Sequence, residues 1–139
     1  MIRGSCLCGG VRYQIDGEVG PMAHCYCSMC RKQHGTSFAT YVGVQASDFR
    51  WVKGEDLVAA YQSSPGLRRG FCRICGSNLP IPDPAAQTFF IPAGTLDDDP
   101  GVRPAAHIFV ASRAPWVEIS DDLPQFDAYP PGFGPDAAS

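Results

Sequence analysis

The chain has 139 residues, 45% of them hydrophobic and 18% charged, with a formal net charge of -3 at neutral pH. That size and composition suit one compact domain with its own core and exclude a disordered tail. No apolar run approaches the roughly 20 residues of a membrane span, the opening Met1–Cys6 lacks the apolar stretch of a signal peptide, and the acidic balance argues against binding of nucleic acid through its phosphates.

Turn residues are frequent, with 15 Gly and 13 Pro, and they punctuate short runs rich in β-branched and aromatic residues. Val11–Ile15 alternates apolar and polar side chains, as a half-buried strand does. One short helix is expected next, with Ser28 as N-cap, Met29 to His34 as the helical turns and Gly35 as the C′ residue. Phe38–Val44 reads as a mostly buried strand, and Phe49–Val52, Leu57–Tyr61, Leu67–Phe71, Thr88–Ile91 and His107–Val110 read similarly. From Asp121 the chain is rich in Pro, Asp and Ala and is expected to be an extended arm, its first half pinned by Leu123, Phe126 and Tyr129. Many short strands between turns predict a mainly β domain, a sandwich or barrel-like arrangement of sheets. Residues 1–130 are expected to form that domain and 131–139 a flexible tail.

The seven cysteines fall into three groups with none left over: Cys6-x-Cys8, Cys25-x-Cys27-x-x-Cys30 and Cys72-x-x-Cys75. An odd count without a secretion signal does not suit a disulfide framework, and clustered thiols in a reducing cytoplasm point to metal or redox chemistry. Zinc takes four soft ligands in a tetrahedron, and close cysteine pairs supply two from one turn. Cys8 is followed by Gly9-Gly10 and Cys75 by Gly76, which permits tight turns whose backbone N–H groups point back at a thiolate. Cys6, Cys8, Cys72 and Cys75 therefore make a closed structural site. Cys25, Cys27 and Cys30 make a three-sulfur site with one position open, the catalytic arrangement. Two alternatives stand beside that reading. His24 or His34 could close the triple as a second structural site, or the triple could be a metal-free redox cluster.

Arg31, Lys32, Arg68, Arg69 and Arg73 lie close in sequence to cysteines. They either offset thiolate charge or also hold an anionic substrate, with Arg31, Lys32 and Arg73 as candidates for steering it. Asp97-Asp98-Asp99 reads as a solvated turn, His107 as a hydrogen-bonded core histidine, and Trp51 and Trp116 as core or pocket wall. No Ser-His-Asp set, phosphate-binding loop or nucleotide fingerprint is present.

Gly4-Ser5-Cys6-Leu7-Cys8-Gly9-Gly10-Val11, His24-Cys25-Tyr26-Cys27-Ser28-Met29-Cys30-Arg31-Lys32 and Arg69-Gly70-Phe71-Cys72-Arg73-Ile74-Cys75-Gly76-Ser77 resemble the motifs of the glutathione-dependent formaldehyde-activating enzyme family, which includes the centromere protein V type. Gly94-Thr95-Leu96-Asp97, His107-Ile108-Phe109-Val110 and Pro115-Trp116 are similar to its later blocks. The resemblance implies a β-tent fold of short antiparallel strands with two zinc ions, a structural one on Cys6, Cys8, Cys72 and Cys75 and a catalytic one on Cys25, Cys27 and Cys30. It implies a carbon–sulfur lyase-type enzyme of the cytoplasm whose partner is a small thiol, glutathione joined to formaldehyde as S-hydroxymethylglutathione. The alternative it leaves is a non-enzymatic zinc module that binds a protein.

Overall fold

A computed structural model describes residues 1–131. Apart from Pro131, the tail expected over 131–139 lies outside the described residues. Ten strands and one α-helix are found among the described residues: β1 (Ile2–Ser5), β2 (Arg12–Ile15), β3 (Met22–Cys25), α1 (Ser28–His34), β4 (Ala39–Gln45), β5 (Phe49–Lys53), β6 (Val58–Ser64), β7 (Leu67–Cys72), β8 (Ile81–Asp83), β9 (Thr88–Pro92) and β10 (Pro104–Ile108). The fold is mainly β, as expected, and its sheets are small. No helix among the described residues is long and apolar enough to cross a membrane. Two compact units can be distinguished, one comprising residues 1–21 and 41–103 and the other residues 22–40 and 104 onward.

In the first unit β2 pairs antiparallel with β1 and β5, placing Tyr13 between Gly4 and Trp51. The alternation read from Val11–Ile15 is realised: Val11, Tyr13 and Ile15 are buried, whereas Arg12 is exposed. Phe49 stacks on Phe89 with centroids 4.0 Å apart and meets Trp51 edge-on at 4.9 Å. β9 pairs antiparallel with β4 and β8. β6 and β7 form a hairpin closed by Pro65-Gly66 between the paired residues Ser64 and Leu67, a two-residue connection of the kind hairpins prefer. Cys6, Val11, Cys72 and Leu79 are buried together, with Trp51, Leu57, Val58 and Cys75 packed against them. Two cysteine side chains are thus part of an apolar core.

In the second unit β3 and β10 run parallel, His24 opposite His107 and Cys25 opposite Ile108. β10 ends earlier than expected. The predicted His107–Val110 strand is replaced by Pro104–Ile108, because Phe109 turns to a left-handed φ of 56° and Val110–Ser112 forms a 3-10 turn. Proline is tolerated at the first residue of a strand. The arm after Asp121 lies along β10: the His107 N–H donates to Pro124 O (2.9 Å), Phe126 N–H to His107 O (2.9 Å) and Phe109 N–H to Ala128 O (3.2 Å). Tyr129 meets Phe109 edge-on, with centroids 4.8 Å apart.

The helix starts one residue earlier than predicted. Cys27, rather than Ser28, is the N-cap, its Sγ accepting the Cys30 N–H at 3.2 Å, and Gly35 closes the helix with a left-handed φ of 65°. A thiol sulfur here does the work of the hydroxyl oxygen more usual at this position. Trp116 also departs from expectation. It is 71% exposed, in the loop beyond the 3-10 turn, and does not belong to the core.

Candidate metal centres

The seven sulfurs converge as two groups. Cys6, Cys8, Cys72 and Cys75 form one and Cys25, Cys27 and Cys30 the other, with the sulfurs of each group within 4.8 Å of one another. The first group lies in the first unit. Cys6 and Cys8 flank the turn after β1, and Cys72 ends β7 with Cys75 in the turn that follows. Gly9 and Gly76 take left-handed φ values of 74° and 79°, as expected of the glycines behind the two cysteine pairs, and the amides are drawn toward sulfur. Val11 N–H lies 3.3 Å from Cys6 Sγ and Gly10 N–H 3.4 Å from Cys8 Sγ. Ser77 Oγ, whose role the sequence did not reveal although it follows Cys75-Gly76, joins the two turns. It accepts the Leu7 N–H at 2.8 Å and lies 3.3 Å from Cys75 Sγ.

The sulfurs perturb one another's ionisation. Ser77 holds Cys75 down at about 5. Burial opposes ionisation of Cys6, but the Val11 amide and the Cys8 and Cys72 sulfurs outweigh it and bring its pKa below the usual thiol range. At Cys8 the Gly10 amide favours the thiolate, yet the Cys6 sulfur, burial and the other two sulfurs push the pKa up to about 11. Four close thiols cannot all ionise unaided, because each thiolate disfavours the next. A divalent cation at their centre removes that conflict.

The second group lies in the second unit, where Cys25 ends β3, Cys27 caps α1 and Cys30 sits in its first turn. Cys30 Sγ is 3.5 Å from Cys25 Sγ. The Cys27 and Cys30 sulfurs, with burial, raise the Cys25 thiol far above its ordinary value, the same conflict among close thiols. A tetrahedral zinc with Zn–S bonds of 2.3 Å sets its sulfurs about 3.8 Å apart. The observed separations of 3.5 Å for Cys6–Cys8, 3.9 Å for Cys8–Cys72 and 3.5 Å for Cys25–Cys30 fit a soft divalent ion in both groups.

Neither His24 nor His34 belongs to the three-sulfur group. His24 Nδ1 instead lies 2.7 Å from Thr40 Oγ1, and its ring packs on Phe38 and His107. Burial, with help from His107, lowers the pKa of His24. His107 is a core histidine, only 3% exposed and hydrogen-bonded to Tyr26 and Asp121. The basic residues divide. Arg69 is buried in β7 with its Nε donating to Ser63 Oγ at 2.9 Å, whereas Lys32, Arg68 and Arg73 are exposed. Arg31, on α1 after Cys30, is half-buried, and its Nε is buried without a hydrogen-bond partner among the described residues. The aspartate run is a solvated turn: Asp98 pairs with Arg3 and Asp99 with Arg103, each at 2.9 Å, and Asp97 accepts from Ser5.

Comparison with known proteins agrees with the motifs. A protein of Halomonas elongata that carries the provisional name glutathione-dependent formaldehyde-activating enzyme is 34% identical over 129 residues, the match covering 86% of this chain and 81% of that protein. A crystal structure of a Rhodobacter sphaeroides protein is similar in fold, with a TM-score of 0.59 and 26% identity, over 73% of this chain and 91% of that one. The family model described as glutathione-dependent formaldehyde-activating enzyme matches residues 1–112. That stretch contains all seven cysteines, and the chain belongs to this family.

Proposed function

We propose that the protein is a zinc enzyme of the carbon–sulfur lyase type acting on a thiol adduct, with glutathione and formaldehyde as reactants and S-hydroxymethylglutathione as product. In the joining direction a bond forms between the thiol sulfur and the carbonyl carbon. The carbonyl π pair moves to oxygen, and the proton lost by the thiol ends on that oxygen. Nothing is oxidised or reduced, and the reverse step breaks the same bond. The reading assigns a structural zinc to Cys6, Cys8, Cys72 and Cys75, and a catalytic zinc to Cys25, Cys27 and Cys30. A zinc ion on three thiolates supplies an open position at which a thiol ionises near neutral pH.

The observation that carries the reading is the three-sulfur group itself, in a chain of this family and with no imidazole in the group. Cys27 supports it twice, as a sulfur of the group and as the cap that fixes the start of α1. Arg31 and Lys32, directly after Cys30, bring positive charge to the same segment and suit the carboxylates of an anionic thiol. Seven thiols without a disulfide among the described residues suit a reducing cytoplasm.

The test is metal content with cobalt-substitution spectra, with and without glutathione, on the wild type and Cys27→Ala. The wild type should bind two metals and change its spectrum when glutathione is added. Cys27→Ala should stay folded, bind one metal and lose the response. A Cys27→Ala protein that still responds overturns the assignment. A wild type with two metals and no response favours a protein-binding zinc module instead.

A further inference from the structure

We infer that Asp121, acting through His107 and Tyr26, is a positioning residue for the three-cysteine group. The inference rests on the reading of that group as a metal site. Tyr26 stands between Cys25 and Cys27, so its position sets the spacing of two of the three sulfurs. Three ties hold it. Its N–H donates to Ile108 O at 3.0 Å, which extends the β3–β10 pairing past the end of β3. Its ring is buried against Phe38 and His107, with centroids 5.2 and 5.5 Å away. Its hydroxyl lies 2.8 Å from His107 Nδ1.

The far side of the His107 ring is fixed as well. Nε2 lies 2.9 and 3.1 Å from the two carboxylate oxygens of Asp121. A carboxylate only accepts, so Nε2 carries the proton. In the neutral ring Nδ1 is then the acceptor for the Tyr26 hydroxyl. Asp121 is itself held, because its Oδ1 accepts the Leu123 N–H at 3.0 Å. A continuous chain of hydrogen bonds therefore runs from a half-exposed carboxylate to the residue between two sulfurs.

Apolar side chains of similar shape would pack this core without a desolvation cost. A polar chain is worth its burial where it fixes one geometry. Metal sites need that fixing, and loss of outer partners typically weakens metal binding by about 10–100-fold. Asp121 lies on the arm, beyond the residues 1–112 that the family model matches.

The experiment is a cobalt titration of the reduced, metal-free protein, read by absorbance, beside urea unfolding. The wild type should bind two cobalt ions. Asp121→Ala, which removes the acceptor from His107, should leave one class unchanged, weaken the other about tenfold and alter its ligand-field bands. Tyr26→Phe should do the same. The double variant should be no worse than either single one, since both cut one chain. Leu123→Ala, which loosens the arm but keeps the carboxylate, should bind cobalt like the wild type. The inference is overturned by an Asp121→Ala protein with wild-type affinity and bands, by additive effects in the double variant, or by the same weakening in Leu123→Ala. A wild type that binds a single cobalt overturns the metal-site reading itself, a result distinct from these.

Discussion

The two sulfur groups use the same ligand chemistry but are tied into the chain differently. The four-sulfur group brings together segments far apart in sequence, Cys8 and Cys72 being 64 residues apart, whereas Cys25 and Cys30 are separated by 5. A cross-link between distant segments removes more freedom from the unfolded chain. On the logarithmic scaling of loop closure, that difference in separation amounts to about 2 kcal/mol. The four-sulfur group also has Cys6 and Cys72 within the apolar core of its unit. The three-sulfur group is local, formed by the end of one strand and the first turn of one helix. One arrangement suits holding a fold and the other suits holding a ligand.

The largest effect should come from removing one sulfur of each group at positions where the thiol contributes little packing. Cys8 is exposed and Cys27 half-buried, so Cys8→Ser and Cys27→Ser compare metal loss more than cavity formation. Structural zinc in small peptides is worth about 10–16 kcal/mol, as much as the whole net stability of a typical domain. Cys8→Ser should therefore be largely unfolded at 25 °C. Cys27→Ser should remain folded and lose little stability, because a serine hydroxyl caps the helix in place of the thiol. Circular dichroism and urea midpoints decide the matter, and equal losses would break the division into structural and catalytic sites.

A smaller effect sharpens the comparison within the four-sulfur group. When Cys75 is a thiolate, the Ser77 hydroxyl donates to it while accepting the Leu7 N–H from the other cysteine pair. Ser77→Ala removes the main cause of the low Cys75 pKa, about 5. The thiol pKa rises, so protons compete with the metal at higher pH. The midpoint of acid-induced metal release from this group should move up by about one pH unit, the size expected for a hydrogen bond to a charged acceptor. Ser77→Thr should restore it. Metal release followed with a chromogenic chelator measures the shift, and an unmoved midpoint would remove Ser77 from the site.

What was legible in the sequence follows from the range of the interactions. The cysteine groups are readable because thiol chemistry is specific to residue type, and each pair is fixed by a few neighbouring residues. Gly9 and Gly76 even indicated which pairs belong together. The alternating strand Val11–Ile15 was readable for the same reason. β1, β3 and β8 were missed, since strands of three or four residues containing Gly, Cys or Pro carry too little periodicity. The early end of β10 depends on a left-handed Phe109, a conformation that a phenylalanine does not announce. The Asp121–His107 pair spans 14 residues and has no local signal, although the burial of His107 was foreseen. Trp116 lies outside the core because size and apolarity predict burial only on average.

The smallest expected effect concerns the acid side of the first unit. The Arg3 guanidinium and amide hold the Asp98 carboxyl down at about 2, below its ordinary 3.8. A carboxyl whose pKa is depressed in the folded state stabilises that state fully above its unfolded pKa, and the contribution disappears as pH falls toward the folded value. The window here runs from about pH 4 down to about 2. Arg3 and Asp98 are 64% and 30% exposed in their side chains, so the effect should be small and should shrink with added salt. Acid also releases thiolate-bound metal, which would mask the signal in the wild type alone. The difference between the wild type and Asp98→Asn cancels that loss. It should be constant above pH 4 and approach zero near pH 2, whereas a difference that does not change with pH would show that Asp98 acts by packing and not by charge.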